Sequence, residues 1–65
     1  MKEKIGINAG KVWTALNEAG KSSIKDVKKL TKLTEKDMYA ALGWLAREDK
    51  IAFEEEGSDI FVFLV

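Results

Sequence analysis

Four lysines crowd into the segment IKDVKKLTK, residues 24–32, and their type and spacing suggest a definite chemistry. They are Lys25, Lys28, Lys29 and Lys32. An α-helix turns by about 100° per residue, so these positions fall within an arc of about 100°, on the side away from Ile24 and Val27. The segment therefore predicts a cationic stripe that can neutralise phosphates, although an ordinary solvated helix face also carries lysines.

The charge of the chain is unevenly distributed, although the net charge is zero. Residues 1–36 hold nine lysines and four acids, a net charge of +5, and residues 37–65 hold two bases and seven acids, a net charge of −5. Such asymmetry is typical of a protein in which one half binds a polyanion, or of a protein that self-associates. It also arises by chance in a chain of which 34% is charged.

An acidic run, EEEGSD, lies at residues 54–59 between the apolar segments IAF and IFVFLV. Its carboxylates belong to Glu54, Glu55, Glu56 and Asp59. A Ca²⁺ site is one interpretation of such a cluster, but the spacing lacks the D-x-[DN]-x-[DN]-G pattern of a calcium loop. We interpret the acids as solvating the tip of a hairpin and limiting sheet growth, or as pairing with lysines of a second subunit.

The composition argues against several classes of function. The chain has 65 residues, which predicts a single domain over residues 1–65, and it has neither Cys nor His. Disulfides, thiolate metal sites and the commonest general base are therefore missing. Since a Gly-rich phosphate loop is also missing, we expect a protein that is not an enzyme and has no metal, cofactor or small-molecule ligand.

The location expected from the sequence is the cytoplasm. No apolar run approaches the ~20 residues that a transmembrane helix needs. Residues 1–20 also lack the continuous apolar segment of a signal peptide. We therefore expect no contact with a membrane.

Three helices are predicted by apolar periodicity and capping residues. The first covers residues 8–20, with Asn8 as its N-cap, Ile7 and Val12 as a hydrophobic staple, and Gly20 as its end. The expected core-facing residues of the three helices are Ala9, Val12, Leu16, Ala19, Ile24, Val27, Leu30, Met38, Ala41, Leu42, Leu45 and Ala46.

The second and third helices follow residues that can cap them. The second covers residues 24–32 after Ser23, and the third follows Thr34 and ends near residues 48–50. Beyond it, Ile51 begins one strand and residues 60–65 form another, with Gly57 in the turn between them. A short third strand is also expected near residues 21–23.

The order helix, helix, short turn, helix and hairpin resembles a winged helix-turn-helix domain, an α+β fold. Residues that carry the resemblance are Ser23, Ile24 and Val27 in the first helix of the motif, and Leu33 and Thr34 in the turn. They also include Leu42 and Leu45 in the last helix and REDKI, residues 47–51, before the wing. The sequence also resembles small stand-alone bacterial winged-helix proteins of unknown function, and it departs from the DNA-binding pattern in its acidic wing.

The resemblance implies a transcription-regulator type of protein that binds double-stranded DNA. The four lysines of residues 24–32 would hold phosphates, because the first helix of the motif crosses the DNA backbone. The residues expected to face the groove are Thr34, Lys36, Ala40 and Arg47. Specificity is expected to be weak, because Glu35 and Asp37 near the start of this helix are repelled by phosphates.

A homodimer is expected from the unbroken apolar run of the last strand. A hairpin with one solvent-exposed face should alternate apolar and polar residues. Because this run does not alternate, both of its faces need to be buried against other residues. The partner surface is expected to comprise Trp44, Phe53, Ile60, Phe61, Val62, Phe63 and Leu64. Trp13 and Trp44 could also stack on bases, but burial in the core is the stronger interpretation.

One alternative to DNA binding remains open at this stage. The chain could keep the fold as a protein-interaction or dimerisation module that binds no nucleic acid. The electrostatics around the second and third helices would discriminate between the two functions.

Overall fold

The computed structural model describes residues 2–65 and has three helices and three strands. In chain order these are α1 (Lys2–Ala19), β1 (Ser22–Ser23), α2 (Ile24–Thr31), α3 (Glu35–Arg47), β2 (Ile51–Glu56) and β3 (Asp59–Leu64). The predicted α+β architecture is confirmed, including the short strand near residues 21–23.

Helix α1 begins six residues earlier than its apparent capping residue suggests. The prediction that Asn8 caps the helix is wrong, because Asn8 lies inside α1 and is buried. The predicted staple is wrong too, because Ile7 is exposed while Val12 is fully buried. Packing of Ala9 and Val12 on the core outweighs the low helix propensity of the nearby glycines. The end at Gly20 is confirmed by its φ of +78° and by its N–H, which donates to the Leu16 carbonyl at 2.8 Å.

The predicted caps of α2 and α3 are confirmed. The Ser23 hydroxyl accepts from the Asp26 N–H at 3.1 Å, and the Thr34 hydroxyl accepts from the Asp37 N–H at 3.2 Å. Each bond satisfies one amide that has no partner within the first turn of its helix.

The sheet is antiparallel and has the order β1-β3-β2. In its register Ser22 lies opposite Val62, and Phe53 lies opposite Val62 from the other side. The apolar strand β3 is therefore the central strand, and its two neighbours protect its backbone. Val62 is fully buried within the chain, so the prediction that it lies on a partner surface is wrong.

The core lies between the three helices and one face of the sheet. The buried apolar residues are Ala9, Val12, Leu16, Val27, Met38, Ala41, Leu42, Leu45, Ile51 and Val62. Four expected members are missing: Ala19 is exposed, Leu30 is 54% exposed, and Ile24 and Ala46 are only partly buried. No helix within residues 2–65 has the length and apolarity to cross a membrane.

Candidate nucleic-acid interface

Helices α2 and α3 form the helix-turn-helix, and a network of local bonds shapes the turn. Lys32 ends α2 in the left-handed conformation with a φ of 58°, and its N–H donates to the Lys28 carbonyl at 2.9 Å. The Thr31 hydroxyl donates to the Val27 carbonyl at 2.8 Å and accepts from the Leu33 N–H at 3.4 Å. Leu33 packs against the core, which fixes the direction in which α3 begins.

The lysines predicted to hold phosphates are all exposed. Three of them lie on α2, and Lys32 lies one residue past its end. Within the described part of the chain, none of the four forms an ion pair with a carboxylate. Their charges are therefore available to an anionic partner in solution.

The four residues predicted to face a DNA groove are also exposed on α3 or at its cap. Lys36, Ala40 and Arg47 lie on the face of α3 opposite its buried residues, and Thr34 is the cap. Gly43 shares this exposed side, and a methyl group at its Cβ position would meet no other atom within 4 Å. Contact of the four predicted residues with DNA stays a prediction.

One of the two acids near the start of α3 is neutralised within the chain. The Asp37 carboxylate lies 3.3 Å from the Lys4 Nζ of α1. This pair reduces the repulsion that Asp37 would exert on a phosphate, and Glu35 keeps its exposed charge.

The acidic wing contacts a lysine of its own chain, a contact that was not predicted from the sequence. Lys21 Nζ lies 3.2 Å from a Glu54 oxygen, 3.5 Å from a Glu56 oxygen and 5.4 Å from the centre of the Phe61 ring. The hydrogen bond to Glu54 raises the pKa of Lys21 above its ordinary value, and the charge of Glu56 adds to this effect. Lys21, the residue before β1, therefore bridges the start of the edge strand and β2 on the far side of the sheet.

The sequence contains part of the information that predicts the cluster of Lys21, Glu54 and Glu56. Glu54 and Glu56 are two residues apart on a strand, so they share one face of the sheet. The lysine that joins them is distant in the sequence. Nothing local in the sequence marks Lys21 as their partner.

An open apolar groove separates α3 from the wing. Its volume is about 480 Å³, and its lining includes Tyr39, Gly43, Phe53, Glu55 and Ile60. Tyr39 is 55% exposed, Phe53 48% and Ile60 46%, so three large apolar side chains lie exposed along one groove. Phe53 and Ile60 belong to the partner surface predicted from the sequence, whereas Tyr39 does not.

The predicted partner surface divides into separate regions. Phe53 and Ile60 line the groove, whereas Phe61 and Phe63 are partly buried on the opposite face of the sheet, as the alternation along β3 requires. Leu64 is partly buried and packs against the core. Trp44 also packs on the core, on the flank of α3 away from Tyr39. These residues cannot act as one continuous surface.

The two tryptophans line the same hollow between α1 and α3, of about 330 Å³. Trp13 is 39% exposed, so the expectation that it lies in the core is wrong, while Trp44 is partly buried. Within residues 2–65, no group of three or more carboxylates is placed to hold a metal ion.

Three helices followed by a β-hairpin wing define the winged helix-turn-helix class of protein. Residues 1–64 match the model of the family described as winged helix-turn-helix domain (DUF2582), and the chain belongs to this family. The fold is similar to the solution NMR structure of protein BT2368 from Bacteroides thetaiotaomicron, with a TM-score of 0.87 and 41% sequence identity. This similarity covers 97% of the present chain and 77% of that chain. No curated protein matches the sequence at a significant level.

Proposed function

We propose that this protein is a non-catalytic, DNA-binding protein of the transcription-regulator type, which acts in the cytoplasm and self-associates as a homodimer. The observation that carries the proposal is the row of exposed lysines on α2, which have no carboxylate partners among residues 2–65. They lie in the helix of the motif that crosses the phosphate backbone in DNA complexes.

The lysines supply affinity rather than sequence recognition. Lys25, Lys28, Lys29 and Lys32 neutralise phosphates and release counterions, so binding weakens as salt rises. Thr34, Lys36, Ala40 and Arg47 face the major groove. Because only Lys36 and Arg47 among them favour base edges, the expected specificity is weak.

The wing stays away from the duplex in this proposal. Glu54 and Glu56 are held by Lys21, while Glu55 and Asp59 are exposed at the hairpin. Phosphates repel this group of acids. Binding therefore rests on α2 and α3 alone.

The test is an NMR amide-shift titration with a generic DNA duplex at low and then moderate salt. We expect shifts within residues 24–47 that shrink as the salt concentration rises. The double variant Lys28→Ala/Lys29→Ala removes two phosphate contacts. It should lower the slope of log affinity against log salt by about 2, since each phosphate contributes roughly 0.9.

A matched control has the same change in charge at positions outside α2. The double variant Lys11→Ala/Lys50→Ala alters exposed lysines on α1 and on the turn before β2. It should leave the salt slope close to that of the wild type. Equal effects of the two double variants, or no shifts at low salt, would contradict binding through α2.

A protein-interaction module is the second candidate function, and the apolar groove favours it. Large exposed apolar residues beside a wing of acids suit a protein partner better than a phosphate backbone. The same titration decides between the two functions. A duplex that causes no shifts even at low salt leaves the interaction module as the better account.

A further inference from the structure

The groove between α3 and the wing needs an occupant, because it gathers exposed large apolar side chains. Tyr39 lies on its helix side, and Phe53 and Ile60 lie on its sheet side. A duplex does not suit this surface, since the lining carries one acid, Glu55, and no base. The chemistry of the groove therefore points to a protein.

The charges that flank the groove lie on opposite sides of its apolar centre. Ile60 belongs to the central strand β3, and Glu55 lies opposite it on β2. On the other side, where β1 leads into α2, an adjoining hollow is lined by Lys25, Tyr39 and Ile60, and also by one acid, Asp59. Lys25 forms no ion pair with Asp59 or with any other carboxylate among residues 2–65, so its charge stays available on this side, while Glu55 is the charged residue on the other side.

We propose that two copies of this chain associate through this groove about a two-fold axis, with Lys25 of each copy against Glu55 of the other. A two-fold interface presents the same patch from both subunits, so the patch must complement itself. A base and an acid on either side of an apolar centre satisfy this condition, because the axis brings each base to the partner's acid. The net charge of zero adds no overall repulsion between copies.

The size of the surface sets the expected affinity. A stable interface of standard size takes about 800 Å² from each partner. This is about a sixth of the 4540 Å² that the chain exposes, and we expect the contact to extend from the groove onto both charged flanks. We expect a reversible dimer with a Kd in the range of about 10 to 100 μM.

The dimer also regulates DNA binding, a consequence that rests on the proposed function. Tyr39 and Gly43 line the groove and adjoin the face of α3 that carries Lys36 and Ala40. A second copy in the groove obstructs the approach of α3 to a duplex. The dimer is then the form that is not bound to DNA.

Sedimentation equilibrium without DNA tests the association itself. The wild type should show a mass that rises with concentration. Gly43→Gln puts a side chain into the groove without a clash inside the monomer, and Gln also favours a helix over Gly. It should weaken association at least tenfold. The matched control Gly10→Gln changes another helical glycine with open space, on α1, and should associate like the wild type.

A charge exchange tests the two-fold arrangement. Lys25→Glu and Glu55→Lys should each associate several-fold more weakly than the wild type. In the dimer of either variant, both contacts between positions 25 and 55 join residues of like charge. An equimolar mixture of the two variants should recover the wild-type affinity, since both contacts are then complementary. A mixture that associates no more tightly than either variant alone would overturn the proposal. A wild type that stays monomeric at about 0.5 mM would also overturn it. In the second case the occupant of the groove is a different protein.

The competition with DNA is tested with Ile60→Thr, which reduces the apolar surface of the wing and leaves α3 unchanged. At protein concentrations above the dimer Kd, this variant should bind the duplex more tightly than the wild type. If neither protein binds the duplex, the proposed function fails while the sedimentation result stands. If the duplex binds a protein that is always monomeric, the proposed DNA binding stands, and the proposed homodimer fails together with the present inference.

Discussion

At the scale of single residues, Lys21 explains why an acidic run is tolerated at the wing. Its ammonium group lies between Glu54 and Glu56 and above the ring of Phe61. Two of the carboxylates in the run thus have a partner within the chain, because Lys21, the residue before β1, links them to the start of that strand. The remaining pair, Glu55 and Asp59, is exposed on the monomer.

The pKa of Lys21 gives a test of this contact. It is raised, first of all by the hydrogen bond to Glu54. Its contribution to stability is therefore complete below the ordinary lysine pKa and is lost as pH rises through the raised value. Glu54→Gln should shift the Lys21 titration to lower pH in an NMR experiment from about pH 9 to 12.

The control for this titration is Glu55→Gln. Glu55 is the neighbour of Glu54 but points to the opposite face of the strand. Its replacement should leave the titration of Lys21 nearly unchanged. A titration that does not respond to Glu54→Gln would mean that Lys21 forms no lasting bond with this carboxylate in solution.

At the scale of elements, α1 contains glycines with opposite roles. Gly10 lies inside the helix with open space around its Cβ position, whereas Gly20 ends the helix with a φ of +78°. Gly10→Ala should stabilise the protein by about 0.5–1 kcal/mol, because Ala loses less backbone entropy. Gly20→Ala should destabilise it by about 1–2 kcal/mol, because a Cβ disfavours the left-handed conformation. Urea unfolding followed by circular dichroism measures both, and changes of the same sign would contradict the helix end at Gly20.

The elements that local patterns define were predicted well. Ser23 and Thr34 cap their helices, and Gly57 closes the hairpin, because each acts on neighbours within three or four residues. The start of α1 was misplaced because burial of Ala9 and Val12, a tertiary effect, decides it. The stripe of lysines could be predicted from helical spacing alone. The groove could not, because it joins residues from α2, α3 and both long strands.

At the scale of the whole molecule, the chain is compact without a partner. Its radius of gyration of 10.6 Å agrees with about 11 Å for a folded domain of this length. The core that achieves this is small, and a domain of this size has a stability of only about 3–5 kcal/mol. Single core residues therefore have a large effect on whether the protein folds.

Two leucines illustrate this dependence. Leu16 is buried between the helices, and Leu30 is 54% exposed on α2. Leu16→Ala should cost about 2–5 kcal/mol, which is comparable with the whole stability, while Leu30→Ala should cost much less. Thermal unfolding should show Leu16→Ala partly unfolded at 37 °C and Leu30→Ala close to the wild type. Similar melting temperatures for the two variants would place the core elsewhere.

The central position of β3 has a further consequence, for the order in which the molecule assembles. The hairpin pairs Glu56 with Asp59 across a tight turn, whereas β1 pairs Ser22 with Val62, 40 positions along the chain. Closing the longer loop costs more chain entropy. Contacts that offset this cost form only after the hairpin and the helices are in place. The strand that completes the sheet is therefore the natural last step of folding and the first to detach on unfolding.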